Sequence, residues 1–123
     1  MSGPLSPTRS MRSKAADTAL PYILHQIELA QRFAVGLQRA DFLADIRTVY
    51  AVTRCPEIIS EASRRLPDDL KARHAAVPWK QMAGAGNVYR RDYEAVAARY
   101  VWDTVQRDLP PLRAVIEREI DAP

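Results

Sequence analysis

The chain has 123 residues, enough for one domain with one modest core and too few for two. Its apolar share is ordinary for a globular protein, no apolar run approaches the ~20 residues a membrane helix needs, and the N-terminus lacks a signal peptide's apolar block, so a cytoplasmic protein without membrane association is expected. The isoelectric point of 9.3 points toward nucleic acid, but Arg9, Arg12 and Lys14 supply the whole net charge of +3; the fifteen later basic residues balance fifteen acidic ones, so any nucleic-acid site must be a local patch.

Residues 1–16, rich in Ser, Pro and Arg, read as a flexible basic leader, and residues 17–123 as the single folded domain. Asp17 or Thr18 is expected to cap the first helix, with Pro21 in its first turn, where a missing N–H is harmless. Leu20, Ile23, Leu24, Ile27, Ala30, Ala34 and Leu37 recur at helical spacing, and Tyr22, Leu29 and Phe33 form a second apolar strip alongside. Two strips on one helix predict a core on one side and a homodimer interface on the other.

Asp41 is expected to cap a second helix carrying Phe42, Leu43, Ile46, Val49, Tyr50, Ile58, Ile59, Ala62 and Leu66. Pro56 removes a backbone bond inside it, at a cost of ~3 kcal/mol, which predicts a kink or break around residues 52–56. After the stop at Leu66-Pro67, Asp68 to His74 forms a short helix. Pro78 then opens a single turn (Trp79-Lys80-Gln81-Met82) that Gly84 and Gly86 end. From Glu94 a long helix runs through Val96, Tyr100, Val101, Val105, Leu109, Leu112, Val115, Ile116 and Ile120, divided by Pro110-Pro111. No segment alternates with period two. The expected fold is all-α, an antiparallel four-helix-bundle-like domain with short extra helices.

Few residues offer chemistry by type alone. A lone Cys55 excludes an intrachain disulfide or a cysteine zinc site and reads as a small buried hydrophobe. His25 reads as structural or interfacial, and His74 as favouring the C-terminus of its short helix. No His, Asp or Glu spacing suits a metal, Asp68-Asp69 reads as an N-cap pair, and no cofactor is expected. Gly84-Ala85-Gly86-Asn87 lacks both the ending and the preceding strand of a phosphate loop, so it reads as a helix cap or tight turn. Trp79 and Trp102 read as core anchors. Glu57 and Glu61 share a helical face, and Arg64-Arg65 is either a solvated face or a basic rim shared with Arg90 and Arg91.

The segment Gly86-Asn87-Val88-Tyr89-Arg90-Arg91-Asp92-Tyr93 changes this picture. Together with Ile58-Ile59-Ser60-Glu61-Ala62, Pro78-Trp79-Lys80-Gln81-Met82 and Val101-Trp102-Asp103-Thr104-Val105, it resembles the HepT-like family of small helical ribonuclease toxins, part of the HEPN group. The likeness runs from Ala19 to Ile120. It implies a helical bundle, a homodimer, metal-independent RNA cleavage, and a minimal nucleotidyltransferase antitoxin as partner.

The family pattern is Arg-x4-His-x-Tyr. Gly86 stands in the Arg position and Arg91 in the His position, while Asn87 and Tyr93 match. In the family the His moves the proton of a ribose 2′-hydroxyl and the Arg lies near the phosphate. A guanidinium stays protonated, so Arg91 is no general base. Asn87, Arg90 and Arg91 are therefore the degenerate catalytic candidates, and Arg64, Arg65, Arg90 and Arg91 the RNA-binding candidates, since guanidinium holds phosphate bidentately. By the resemblance Tyr93 is the residue the partner modifies with AMP; otherwise it is a packed tyrosine at a helix start. Two functions stay open: an endoribonuclease toxin, and a non-catalytic dimer that still docks a nucleotidyltransferase.

Overall fold

Apolar residues at helical spacing build α1 (Lys14–Ala34), whose buried side includes Ala16, Ala19, Leu20, Ile23, Ile27, Ala30 and Ala34. The computed structural model describes residues 14–91 and 94–122, with the backbone alone for 87–91, 94 and 95. Beyond α1 lie α2 (Arg39–Ala44), α3 (Ile46–Ser63), α4 (Asp68–Arg73), α5 (Trp79–Arg91), α6 (Glu94–Asp103), a π-helical segment (Thr104–Asp108) and α7 (Leu109–Asp121). All secondary structure among the described residues is helical, so the chain is all-α as its periodicity predicts.

Several expectations need correction. α1 is already formed at Lys14, so Asp17 and Thr18 do not cap it, the last residues assigned to the leader are helical, and Ala16 is fully buried. Pro21 consequently lies inside the helix. Leu20, Ile23 and Ile27, each at most 1% exposed, gain about 1.5–3 kcal/mol apiece on burial, more together than the ~3 kcal/mol of one interior proline. Gly36, at φ +80°, lets the chain leave α1 in the left-handed region.

The helix expected from Asp41 onward is two helices. Gln38 caps α2, and Asp41 sits three residues later, its carboxylate accepting the Gln38 amide at 3.2 Å in a capping box. Asp45 ends α2 and caps α3, accepting the Arg47 amide at 3.1 Å and the Thr48 hydroxyl at 2.8 Å. α3 then passes Pro56 unbroken. Val49, Val52, Cys55, Ile59 and Ala62 are buried on both sides of the proline, and that packing outweighs one missing backbone bond.

Gly84 and Gly86 do not end a turn either: α5 runs through both, to Arg91. A helical glycine costs only ~1 kcal/mol relative to alanine. Trp79, Met82 and Ala85 pack on the core and offset that cost. The final helix is divided near Pro110-Pro111, but by a π turn rather than a gap. The Leu109 amide donates to the Thr104 carbonyl, and the prolines occupy the first turn of α7, where an absent N–H is tolerated.

α1 packs on α3 and α7, and α5 lies against α3. Helices α3 and α5 run antiparallel, since Ala83 meets Arg64 while Gly86 meets Ser60. Across the bundle, Phe42 of α2 and Trp102 of α6 pack with ring centroids 5.3 Å apart. Arg113 of α7 ties to α1 through Gln31 at 2.8 Å and Glu28 at 3.0 Å. No helix among the described residues is long and apolar enough to cross a membrane.

Candidate nucleic-acid interface

The face of α3 turned toward α5 carries Ser60 and Arg64, four residues apart and therefore stacked on one side of the helix. The Ser60 hydroxyl, 3% exposed, donates to the Ala83 carbonyl at 2.9 Å and accepts the Gly86 amide at 3.3 Å. Arg64 Nη2 donates to the same Ala83 carbonyl at 2.8 Å, and its Nη1 lies 3.5 Å from Glu61. The side chains of Ser60 in α3 and of Arg64, its C-cap residue, thus hold the backbone of α5 where the Gly86–Tyr93 segment begins.

Beside this clasp runs a polar groove of about 370 Å³, walled by Tyr22 of α1, by Arg54, Glu57, Ile58, Ser60 and Glu61 of α3, by Arg64 and Arg65 just beyond it, and by Gly86. Three guanidiniums face two carboxylates, leaving one positive charge in excess. Arg54 lies 3.6 Å from Glu57. The Arg65 backbone amide donates to the Ala62 carbonyl at 3.0 Å, while its guanidinium makes no hydrogen bond or ion pair among the described residues. The groove is therefore a local cationic patch on a chain whose body is otherwise balanced, which is the form an anion site had to take here.

Of the sequence candidates, the structure brings together Arg64, Arg65 and Gly86. Asn87 directly follows Gly86 in α5, and Arg90 and Arg91 lie about one helix turn beyond it, the side chains of all three being outside the description. Tyr93 lies outside the described residues. Glu57 and Glu61, noted in the sequence only for their spacing, prove to be groove residues; Ser60, Arg54 and Tyr22 carried no signal as site residues.

The other polar cluster joins α4 to α7. Glu119, 5% exposed, accepts Arg73 Nη2 at 2.8 Å and Arg73 Nε at 3.3 Å, and lies 2.6 Å from His74 Nε2. The Arg73 guanidinium holds the Glu119 carboxyl below the usual glutamate range against the opposing effect of burial, and His74 adds to the lowering. His74 thus caps α4, as its position predicts, but its ring serves Glu119. His25 is exposed on α1 and is not part of the groove wall. Asp68 and Asp69 sit in the first turn of α4 without a side-chain cap bond; Pro67 is the N-cap residue. Among the described residues no group of three or more His, Cys, Asp or Glu could hold a metal ion.

The model of the family described as ribonuclease HepT-like matches residues 23–119. The chain belongs to the HepT-like ribonuclease family. Relatives agree with this assignment. A protein named probable ribonuclease HepT from Thermococcus cleftensis is 38% identical over 96 residues, covering 78% of this chain and 87% of its own length. A putative RNase of Caldanaerobacter subterraneus is 32% identical over 98 residues, covering 80% and 88% respectively. A putative RNase of Methanocaldococcus jannaschii is 28% identical over 98 residues, covering 80% and 81%. No solved structure matches the chain. The HepT-like match begins at Ile23 within α1 and ends at Glu119 in α7, so the groove residues from Arg54 to Gly86 fall inside it, while Tyr22 lies one residue before it.

Proposed function

We propose that this HepT-like chain is the toxin of a toxin–antitoxin pair: a cytoplasmic, homodimeric endoribonuclease that needs no metal, silenced by a minimal nucleotidyltransferase. The observation that carries the RNA-directed part is the groove itself, where Arg54, Arg64 and Arg65 surround Gly86 at the start of the motif segment. Guanidiniums in a groove recognise phosphodiester by charge and by paired N–H donors. They also stabilise the extra negative charge that develops on a phosphorane. The names of the relatives, probable ribonuclease HepT and putative RNase, support the same substrate.

RNA cleavage without a metal needs one more element, a base for the ribose 2′-hydroxyl. With Arg91 in place of the family's His, Glu57 and Glu61 are the carboxylates in the groove able to take that proton. A second reading is favoured by Gly86 and Arg91 together. It holds that the bundle, the dimer and the nucleotidyltransferase-docking surface persist while cleavage is lost, with Asn87, Arg90 and Arg91 serving to bind RNA and Tyr93 remaining the AMP acceptor.

Cleavage of a mixed RNA pool by the purified protein in EDTA, beside the Arg91→His variant, separates the two. Cutting by the parent chain supports the toxin reading and directs attention to Glu57 and Glu61. Cutting by the variant alone marks a disarmed toxin. Silence from both leaves the interaction protein. Dimerisation is checked by light scattering, and pairing by AMP transfer to Tyr93 from a co-expressed nucleotidyltransferase, read by mass spectrometry.

A further inference from the structure

The groove between α1, α3 and α5 contains one aromatic residue among its cations. Tyr22 stands on α1, is 42% exposed, and shares the groove with Arg64 and Arg65 at the C-terminal end of α3. An exposed tyrosine on a helix surface is ordinary. Set across from a cluster of guanidiniums in a cavity of about 370 Å³, it completes a different arrangement: a flat apolar face and a phosphate-binding fork within one pocket.

We infer that this groove is a one-nucleotide subsite for single-stranded RNA, with Tyr22 stacking the base and Arg64 and Arg65 holding the adjoining phosphate. The inference rests on the RNA-binding reading above and deepens it. Single strands are bound by grooves that track the backbone with positive charge and by aromatic side chains on which unstacked bases lie. The two arginines have different parts. Arg64 is steadied by the Ala83 carbonyl and by Glu61, so its remaining N–H groups are pre-oriented and little further order is lost on binding. Arg65, without an ion pair among the described residues, is the uncommitted cation. Gly86 adds no side chain to the groove wall, which leaves the pocket open to a nucleotide.

The groove also disfavours part of its possible cargo. Glu57 and Glu61 accept hydrogen bonds and donate none while ionised. A base edge rich in N–H donors suits them, whereas one of carbonyl acceptors does not. Among the four bases, guanine presents the most donors to a carboxylate and uracil the fewest. The subsite therefore takes a guanosine in preference to a uridine.

The test is fluorescence anisotropy of the full-length protein with labelled twelve-residue oligoribonucleotides, one with a single guanosine in a uridine background and one of uridine alone, in EDTA. Free guanosine monophosphate and inorganic phosphate are run as competitors, to separate a strand from its parts. Tyr22→Ala is expected to weaken binding of the guanosine oligomer about tenfold, and Tyr22→Phe to keep most of the affinity, because stacking needs the ring and not the hydroxyl. Arg64→Gln and Arg65→Gln should each lower affinity for both oligomers and reduce the salt slope by roughly 0.7. Phe33→Ala, three turns away on α1, serves as a control for the apolar strip.

Equal binding of the two oligomers, or full affinity in Tyr22→Ala with losses in the arginine variants, overturns the base platform and leaves phosphate tracking alone. Loss of affinity and of dimerisation together in Tyr22→Ala and Phe33→Ala overturns it in favour of an interface role for Tyr22. Competition by inorganic phosphate as strong as by the nucleotide overturns the subsite as well. If the parent chain binds neither oligomer, the RNA reading itself fails, and the inference with it.

Discussion

The Ser60 hydroxyl lies 3.3 Å from the Gly86 amide nitrogen, so a buried side chain of α3 grips the backbone of α5 at the first position of the motif segment. The same hydroxyl donates to the Ala83 carbonyl. Ser60→Ala removes both bonds and leaves no side-chain acceptor at that position for the Gly86 amide. A loss of about 1–2 kcal/mol of stability is expected, the scale of two hydrogen bonds whose net worth is roughly 1 kcal/mol each. Urea denaturation measures it. Hydrogen exchange should show faster opening of α5 than of α1 in the variant, and uniform loosening of both would refute a local clasp.

Glu119 gives the fold a dependence on acid. Its carboxyl titrates lower in the folded chain than in an unfolded one, chiefly because of Arg73. A group depressed in this way stabilises fully above its unfolded pKa and loses that contribution as pH falls through the folded value. Glu119→Gln should therefore cost about 2 kcal/mol near neutral pH, the scale of a hydrogen-bonded charge. The gap between variant and parent should narrow steadily below the ordinary glutamate range. Urea midpoints from pH 6 down to pH 3 test this, and a gap that stays constant would count against it.

Pro56 lies inside α3 and also walls an apolar cavity of about 360 Å³ bounded by α5, the π segment and α7. Pro56→Ala restores a backbone donor worth up to ~3 kcal/mol and loses two buried methylene groups at about 0.8 kcal/mol each. A net gain of about 1 kcal/mol is expected, read as a higher thermal midpoint. A fall would mean that the ring's packing matters more than the helix bond.

Cys55 is 2% exposed, and burial pushes its thiol up to about 11. Since the thiolate is the reactive form, iodoacetamide at pH 8 should alkylate the native chain far more slowly than the urea-unfolded one. Rapid labelling of the native chain would contradict this burial. Slow labelling makes Cys55 a reporter of unfolding for the variants above.

Periodicity made α1, α3 and α7 legible, because their buried residues recur at helical spacing and their packing does the rest. The errors fell on prolines and glycines. Pro21, Pro56, Gly84 and Gly86 each carry a local penalty of a few kcal/mol or less, and each was overruled by contacts between segments distant in sequence. The site was half legible for a related reason. Arg64 and Arg65 were visible as charges, but Tyr22 and Arg64 are forty-two positions apart in the chain, and only the packing of α1 on α3 sets them round one groove. The pairing of Glu119 with Arg73 and His74 left no pattern at all, since it joins α7 to the end of α4.

Helix α5 contributes Trp79, Met82 and Ala85 to the periphery of the core, and none of its described side chains belongs to the fully buried apolar set. The described end of the motif segment, Gly86 to Arg91, occupies the last turns of a helix whose principal neighbour is α3. Fold and chemistry are thus written in largely separate alphabets. Apart from Gly86, whose backbone Ser60 holds, the described part of this segment adds nothing to the fully buried apolar set, so substitutions there do not require that set to repack. A lineage could disarm such a protein, or rearm it, at small cost to the scaffold it inherits.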